Sequence, residues 1–242
     1  MNLIIDIGNT ATKLAVFQLD NILEVQVVTT KEMIPVVEKI LDKYAGIEQG
    51  VLSSVAFLEA SDVNSLLKLL PLKVLESSLK MPFNNCYDTP HTLGVDRLAL
   101  MAAAVKHYPR TNVLVIDAGT CITYDFIDAQ QNYLGGAISP GVHMRYKSLK
   151  TFTSNLPSLE KSIPKQRIGS STKSSIHSGV IYGIAHEIEG AIEDYQSKYP
   201  DLTVILTGGD ADFLCKQFKI SIFANSIFLL EGLNFLLEFN SN

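Results

Sequence analysis

Apolar and polar positions alternate in long-range order along this chain, and the opening stretch sets the theme. LIIDI at 3–7 is an apolar run that drives into a carboxylate, Asp6, GNTAT at 8–12 is small and polar, and KLAVF at 13–17 is apolar after its lysine. The pattern predicts strands over 2–7 and 12–19 joined by a turn, with a third strand near 25–28. Met33, Val36, Val37, Ile40, Leu41 and Tyr44 fall at helical spacing and predict a helix over 31–44. A short buried strand at 50–55, a helix at 62–70 stopped by Pro71, and a strand at 73–75 follow. Strands alternating with helices give an α/β class.

Residues 77–95 break the rhythm with Pro82, Asn84, Asn85, Pro90 and Gly94. That segment reads as an active-site loop and as the boundary between two halves, 1–92 and 93–242. A helix is expected from 96 to 107, and then the opening layout returns. VLVIDAGTCITYDFID at 113–128 again runs strand, Asp, Gly, small polar residue, strand. The recurrence is an internal duplication signal and predicts two similar halves facing a cleft. Beyond it lie a strand at 131–138 that leads into GGAISPG (135–141), then a helix reaching Leu149. A polar stretch at 153–175 reads as mobile, and a long helix is expected over 175–198. A strand at 203–207, TGGD (207–210), a helix at 210–217, a short strand near 220–223 and a terminal helix complete the chain. The apolar face of the long helix, Ile176 to Tyr195, is a candidate subunit contact.

Composition narrows the function classes. The chain has 242 residues, 47% hydrophobic and 19% charged, which suits a well-buried core and argues against disorder. Net charge is −5 without a basic stripe, so nucleic acid is not an expected partner. Cys86, Cys121 and Cys215 are odd in number and lack CxxC spacing, and are expected as reduced, mostly buried thiols. Asp6 interrupts the first apolar run and no basic segment precedes it, unlike a secretion signal. Ser226 to Phe239 is apolar but short for a membrane span and carries Glu231 and Glu238. A cytoplasmic location without membrane contact is the expectation.

The repeated turn carries the chemistry. A glycine hairpin brings backbone N–H groups close to a phosphate, Asn9, Thr10 and Thr12 add neutral donors, and Lys13 adds charge. Asp6 would repel a phosphate unless a cation lies between them, and Mg²⁺ binds through one or two carboxylates plus phosphate oxygens. An ordinary β-hairpin is the plain alternative for one copy; two copies make a polyphosphate clamp. No GxxxxGK[ST] or GxGxxG is present, so neither a P-loop nor a dinucleotide fingerprint applies. Gly208 and Gly209 would let a purine lie on bare backbone, or would simply turn a strand into a helix capped by Asp210. Asp96 and Arg97 open a helix, either as a first-turn acid or as a general base beside a substrate-orienting cation. The histidines form no ligand-spaced pair, and Glu187, Glu189, Glu193 and Asp194 read as a wet helix face.

DIGNT with Lys13, GVDR at 94–97, DAGT at 117–120, GGAISPG and TGGD, in this order, resemble the type III pantothenate kinases over nearly the whole length. The resemblance implies the actin, sugar kinase and Hsp70 superfold, two duplicated ribonuclease-H-like halves with ATP in the cleft between them. It implies ATP-dependent phosphorylation of the terminal hydroxyl of pantothenate, the first step to coenzyme A, in a homodimer. By the family's motifs Asp6, Gly8, Asn9, Thr10, Thr12 and Lys13 hold ATP phosphates and Mg²⁺, and Asp96 is the proton acceptor. Tyr87, Gly94, Val95, Asp96, Arg97 and Thr172 contact pantothenate. Asp117 takes a monovalent cation, potassium or ammonium, and Gly119 and Thr120 meet phosphate. Cys121 stands where alanine is common in the family. Other readings are a kinase of the same superfold acting on a sugar or acetate, a polyphosphate phosphatase, or a nucleotide-binding regulator.

Overall fold

The computed structural model describes residues 1–56, 58–76, 78–218 and 222–241, and the chain divides into two compact units. The first contains β1 (Asn2–Ile7), β2 (Thr12–Gln18), β3 (Asn21–Val28), α1 (Met33–Lys43), β4 (Gln49–Ser54), α2 (Ala60–Leu69) and β5 (Leu72–Val74). The two-residue strand β6 (Asn84–Asn85) and α3 (Val95–His107) complete its continuous part. The second contains β7 (Val113–Ala118), β8 (Cys121–Ile127), most of β9 (Asn132–Pro140), α4 (Val142–Thr151), α5 (Thr172–Lys198), β10 (Thr203–Thr207), α6 (Ala211–Leu214) and β11 (Phe223–Ala224). The last helix, α7 (Phe228–Phe239), belongs to the first unit, as do residues 131–133.

The first sheet runs β3-β2-β1-β4-β5, and the second unit's strands run β9-β8-β7-β10-β11. Counted from the opening strand of each unit, both read 3-2-1-4-5. The directions repeat too: β1 is antiparallel to β2 and parallel to β4, and β7 is antiparallel to β8 and parallel to β10. The duplication inferred from two short motifs is therefore a duplication of topology.

Alternation along β1 and β2 sends Leu3, Ile5, Ile7, Leu14 and Val16 into a core closed by Met33, Val37 and Ile40 of α1 and Leu66 of α2. The opposite face, with Ile4, Asp6, Lys13, Ala15 and Phe17, meets α7 and α3 around β1 and β4. Gly232 of α7 sits so close to α3 that an added Cβ would lie 1.9 Å from the Ala99 carbonyl oxygen. Asn234 ties the helix to both ends of the β1–β2 region: it accepts from Asn2 Nδ2 at 2.8 Å and donates to the Leu19 carbonyl at 2.9 Å. Residues 95–107 and 228–239, expected in the second half, pack in the first unit for this reason. A half-boundary read from sequence order does not register a helix that returns from the far end of the chain.

In the second unit Leu114, Ile116, Tyr124 and Phe126 form a core with Ile181, Ile184, Ile188 and Ile192 of α5. The apolar face of the long helix, a candidate subunit contact by sequence, is thus largely consumed inside its own unit. α5 begins at Thr172, three residues earlier than expected, because Ser171 accepts the Ser174 N–H at 3.2 Å and caps it. The stretch before it is tied down: Leu156 and Leu159 pack on the core, Lys161 pairs with Asp210, and the Arg167 guanidinium lies 4.8 Å from the Tyr182 ring centroid. Part of the strand expected near 220–223 lies outside the described residues; the observed strand is at 223–224. The thiols are free but none is buried: Cys86 is exposed and Cys121 and Cys215 are half-buried. Among the described residues no helix is long and apolar enough to cross a membrane.

Candidate active site

Each unit carries its own half of the candidate chemistry. In the first, Asp6 is the next-to-last residue of β1, directly opposite Lys13 on β2 and beside Ser53 on β4. The Ser53 hydroxyl donates to Asp6 Oδ1 at 3.2 Å. Asp6 is only 7% exposed, and burial pushes its carboxyl up to about 6. Lys13 and Ser53 pull the other way, and the neighbouring Asp96 charge adds a further upward push. The Gly8 N–H donates to the Ala11 carbonyl at 3.1 Å and closes the turn, leaving Asn9 and Thr10 exposed. Thr12 does not join them. It pairs with Ile7, so its side chain points to the α1 face, fully buried with Oγ1 unpartnered.

The entry to α3 brings the other acid into the same unit. Gly94 precedes the first turn, and a Cβ there would lie 2.4 Å from Asp96 Oδ1. Only glycine leaves that carboxylate room to fold back, where Oδ1 accepts the Arg97 N–H at 2.8 Å. Arg97 is 5% exposed and its guanidinium lies 5.4 Å from the Tyr87 ring centroid. Tyr87 stacks on Tyr133, centroids 6.1 Å apart and planes at 16°. Asp6, Lys13, Tyr87, Asp96 and Arg97 therefore share one unit. Sequence reasoning missed Ser53 and Tyr133. Ser53 was accessible in principle, as the polar end of an apolar strand beside β1; nothing local marked Tyr133.

The second unit holds the remaining candidates. Asp117 is the next-to-last residue of β7, opposite Thr123 of β8 and Thr207 of β10. Gly208 follows with φ +96°, and a Cβ on it would lie 2.3 Å from Asp117 Oδ1 and 2.4 Å from the Ala118 carbonyl oxygen. Gly209 faces open space. Asp210 does not cap α6 through its side chain but pairs with Lys161. Gly119 and Thr120 form the two-residue turn, and the Thr120 carbonyl accepts the Gly141 N–H at 3.1 Å, tying GGAISPG to it. Thr172 lines a groove of about 680 Å³ with Arg145, Ile176, Val180 and neighbours. Arg145 is fixed there by Glu187 at 2.6 Å, the Pro140 carbonyl at 2.8 Å and Ser139 at 2.8 Å. Glu187 is thus a hub and not part of a wet helix face. Burial opposes its charge, yet hydrogen bonds from Arg145, Ser139 and Tyr124 hold its carboxyl below the ordinary value.

No group of three or more His, Cys, Asp or Glu among the described residues is arranged to hold a metal. A buried carboxylate with a second acid nearby suits a cation whose other ligands are phosphate oxygens, which is how Mg²⁺ binds in nucleotide enzymes. Asp6 and its surroundings therefore fit Mg²⁺ delivered with a nucleotide and do not fit a dedicated all-protein cage.

A family model described as type III pantothenate kinase matches residues 2–194. A type III pantothenate kinase of Christiangramia forsetii is 54% identical over 240 residues, covering 99% of both chains. One from Bacteroides fragilis is 41% identical over 242 residues, covering 100% of this chain and 99% of its own. Among solved structures, a Campylobacter jejuni protein assigned to a Baf family of transcriptional activators matches with TM-score 0.64 at 22% identity, over 99% of each chain. A glucokinase from an Antarctic psychrotroph matches with TM-score 0.50 at 12% identity, over 98% of each chain. At such identities these structures speak for the fold alone, the duplicated ribonuclease-H-like architecture of the actin-like ATPases and sugar kinases.

Proposed function

The chain belongs to the type III pantothenate kinase family, and from that premise we propose that it transfers the γ-phosphoryl group of ATP to the terminal hydroxyl of pantothenate, giving 4'-phosphopantothenate. The observation that carries the reading is the grouping of Asp6, Lys13, Asp96 and Arg97 within one unit, with Gly94 making room for the Asp96 carboxylate. Asp96 accepts the proton of the attacking hydroxyl at a carboxylate oxygen, while Arg97 and Tyr87 hold the acceptor in line for attack. Arg97 suits the pantothenate carboxylate, which a guanidinium can grip with two parallel hydrogen bonds. Gly94 and Val95 contribute backbone beside it, and Thr172 is a further acceptor contact.

Lys13 and the turn at Gly8, Asn9 and Thr10 take the ATP phosphates, and Thr120 with Gly119 makes a further phosphate contact. Gly208 and Gly209 give the nucleotide base a bare backbone surface. Asp6 is the residue that would hold Mg²⁺, which supplies neutralisation of the phosphate charge. Asp117 takes potassium or ammonium. A homodimer in the cytoplasm, committed to the first step of coenzyme A synthesis, completes the reading.

The test is direct product detection. Protein, ATP, Mg²⁺, potassium and pantothenate are mixed, and phosphopantothenate is sought by mass spectrometry. Asp96→Asn is expected to lower turnover by roughly 10²–10⁴ while ATP still binds; unchanged turnover would remove Asp96 from the role. ADP without phosphopantothenate would redirect the search to other acceptors. A folded protein with no ATP turnover would favour a nucleotide-binding regulator.

A further inference from the structure

Tyr87 lies in a segment with almost no regular structure of its own, and its position is set from elsewhere in the chain. Residues 84–86 dock as a short parallel strand on the start of β9: Asn84 pairs with Asn132 and Asn85 with Tyr133. The Asn84 N–H donates to the Gln131 carbonyl at 2.9 Å, and the Cys86 N–H donates to the Tyr133 carbonyl at 3.0 Å. The Tyr87 N–H then donates to Asn85 Oδ1 at 3.0 Å, which turns the chain and points the Tyr87 ring along Tyr133.

Tyr133 is fully buried, braced edge-on by Phe83 with centroids 6.2 Å apart. Its near-parallel stack with Tyr87 and the Arg97 guanidinium near Tyr87 form one file: Phe83, Tyr133, Tyr87, Arg97. Of the four, Tyr133 is the fixed member, held by the strand pairing and by complete burial. Tyr87 is half-buried and makes the outward contact.

We propose that Tyr133 is a positioning residue for acceptor recognition, its buried ring setting the height and tilt of Tyr87 and, through Tyr87, the seat of Arg97. The inference rests on the acceptor role proposed for Tyr87 and Arg97. It separates acceptor handling from nucleotide handling, because the ring contacts of Tyr133 run to Phe83 on one side and to Tyr87 on the other.

The experiment compares Tyr133→Leu, which removes the ring, Tyr133→Phe, which keeps it, and Tyr87→Leu. Steady-state constants are measured separately for pantothenate and ATP. Tyr133→Leu is expected to raise the pantothenate KM about tenfold, the scale of one lost aromatic pair. The ATP KM stays within about twofold, and Tyr133→Phe stays close to the unmodified protein. A stabilising shift in Tm on adding pantothenate alone should shrink in parallel. If the leucine variant does not fold, Tyr133→Met fills the space without a ring and takes its place. Equal rises in both KM values, no rise in either, or a phenylalanine variant as impaired as leucine would each overturn the inference. If Tyr87→Leu raises the pantothenate KM and Tyr133→Leu does not, the inference falls and the acceptor reading stands. If Tyr87→Leu changes nothing, the acceptor reading of Tyr87 falls and takes the inference with it.

Discussion

The two hairpins are copies with different electrical settings. Asp6 and Asp117 occupy the same place in the same topology, and each has a hydroxyl residue on its parallel neighbour, Ser53 and Thr207. On the antiparallel side they part. Asp6 faces Lys13, whereas Asp117 faces Thr123, whose Oγ1 is buried without a hydrogen-bond partner. The turns differ too, residues 8–11 in the first and only 119–120 in the second. A duplicated scaffold has kept the carboxylate and changed what answers it. The first hairpin brings an ammonium and a longer turn, in keeping with the phosphate role proposed for it; the second brings a neutral oxygen, in keeping with the cation role proposed for Asp117.

That comparison can be broken most sharply at Asp6. Asp6→Asn should lower Mg²⁺-dependent turnover by more than about 10²-fold, as expected for losing a preorganised electrostatic group. Its fold should survive, and at pH 7 without Mg²⁺ its Tm should exceed that of the unmodified protein. The pH profile states the same cost. The Asp6 carboxyl sits near 6 in the folded protein against 3.8 as its ordinary value. Below pH 4 it is protonated whether folded or not, and contributes nothing. Between about 4 and 6 the unfolded chain has released a proton that the folded chain keeps, so stability falls as pH rises. Above 6 the loss is complete, about 3 kcal/mol from a shift of this size. Urea titrations of the metal-free protein from pH 4 to 7 should show this decline, and Asp6→Asn should remove it; an unchanged slope would place the charge elsewhere.

The second hairpin should give smaller effects. Asp117→Asn is expected to weaken the apparent affinity for potassium about 10- to 100-fold, measured as activity against KCl at constant ionic strength. An unaltered potassium response would deny the second carboxylate its cation. Gly208→Ala should cost about 1–3 kcal/mol, since the backbone is left-handed there and a Cβ would press on Asp117. Gly209→Ala, in open space, should change stability by less than about 0.5 kcal/mol. Denaturation of the paired variants would show whether Gly208 serves the carboxylate or merely the turn.

Much of this was legible in the chain. Continuous apolar runs of strand length gave the strands at 2–7, 113–118 and 203–207, helical spacing gave the helix around 33–43, and a run of small and apolar residues gave the one at 95–107. The first two strands are buried on nearly every residue, so they leave a run and not a period. Asp6 and Asp117 stood out because a carboxylate closing an apolar strand is costly unless it has work to do. The opposite orientations of Thr12 and Lys13 were also legible from the period of two, although motif membership grouped them. Pairings between distant segments left no such mark. Nothing near residue 133 announces that it carries residue 87, and nothing in 228–239 tells which sheet it covers. Glu187 looked solvated because its helix neighbours are acidic; its partners Arg145 and Tyr124 come from other elements.

The return of α7 to the first unit has a consequence for biosynthesis. Asn2 and Asn234 stand 232 positions apart yet share a hydrogen bond. Residues 110–227, which hold the second unit's own core, are all synthesised before residues 228–239. The opening sheet, translated earlier, lacks the α7 part of the cover over Ile4, Ala15 and Phe17 until residues 228–239 are made. The segment made first is therefore completed by the last helix to be made.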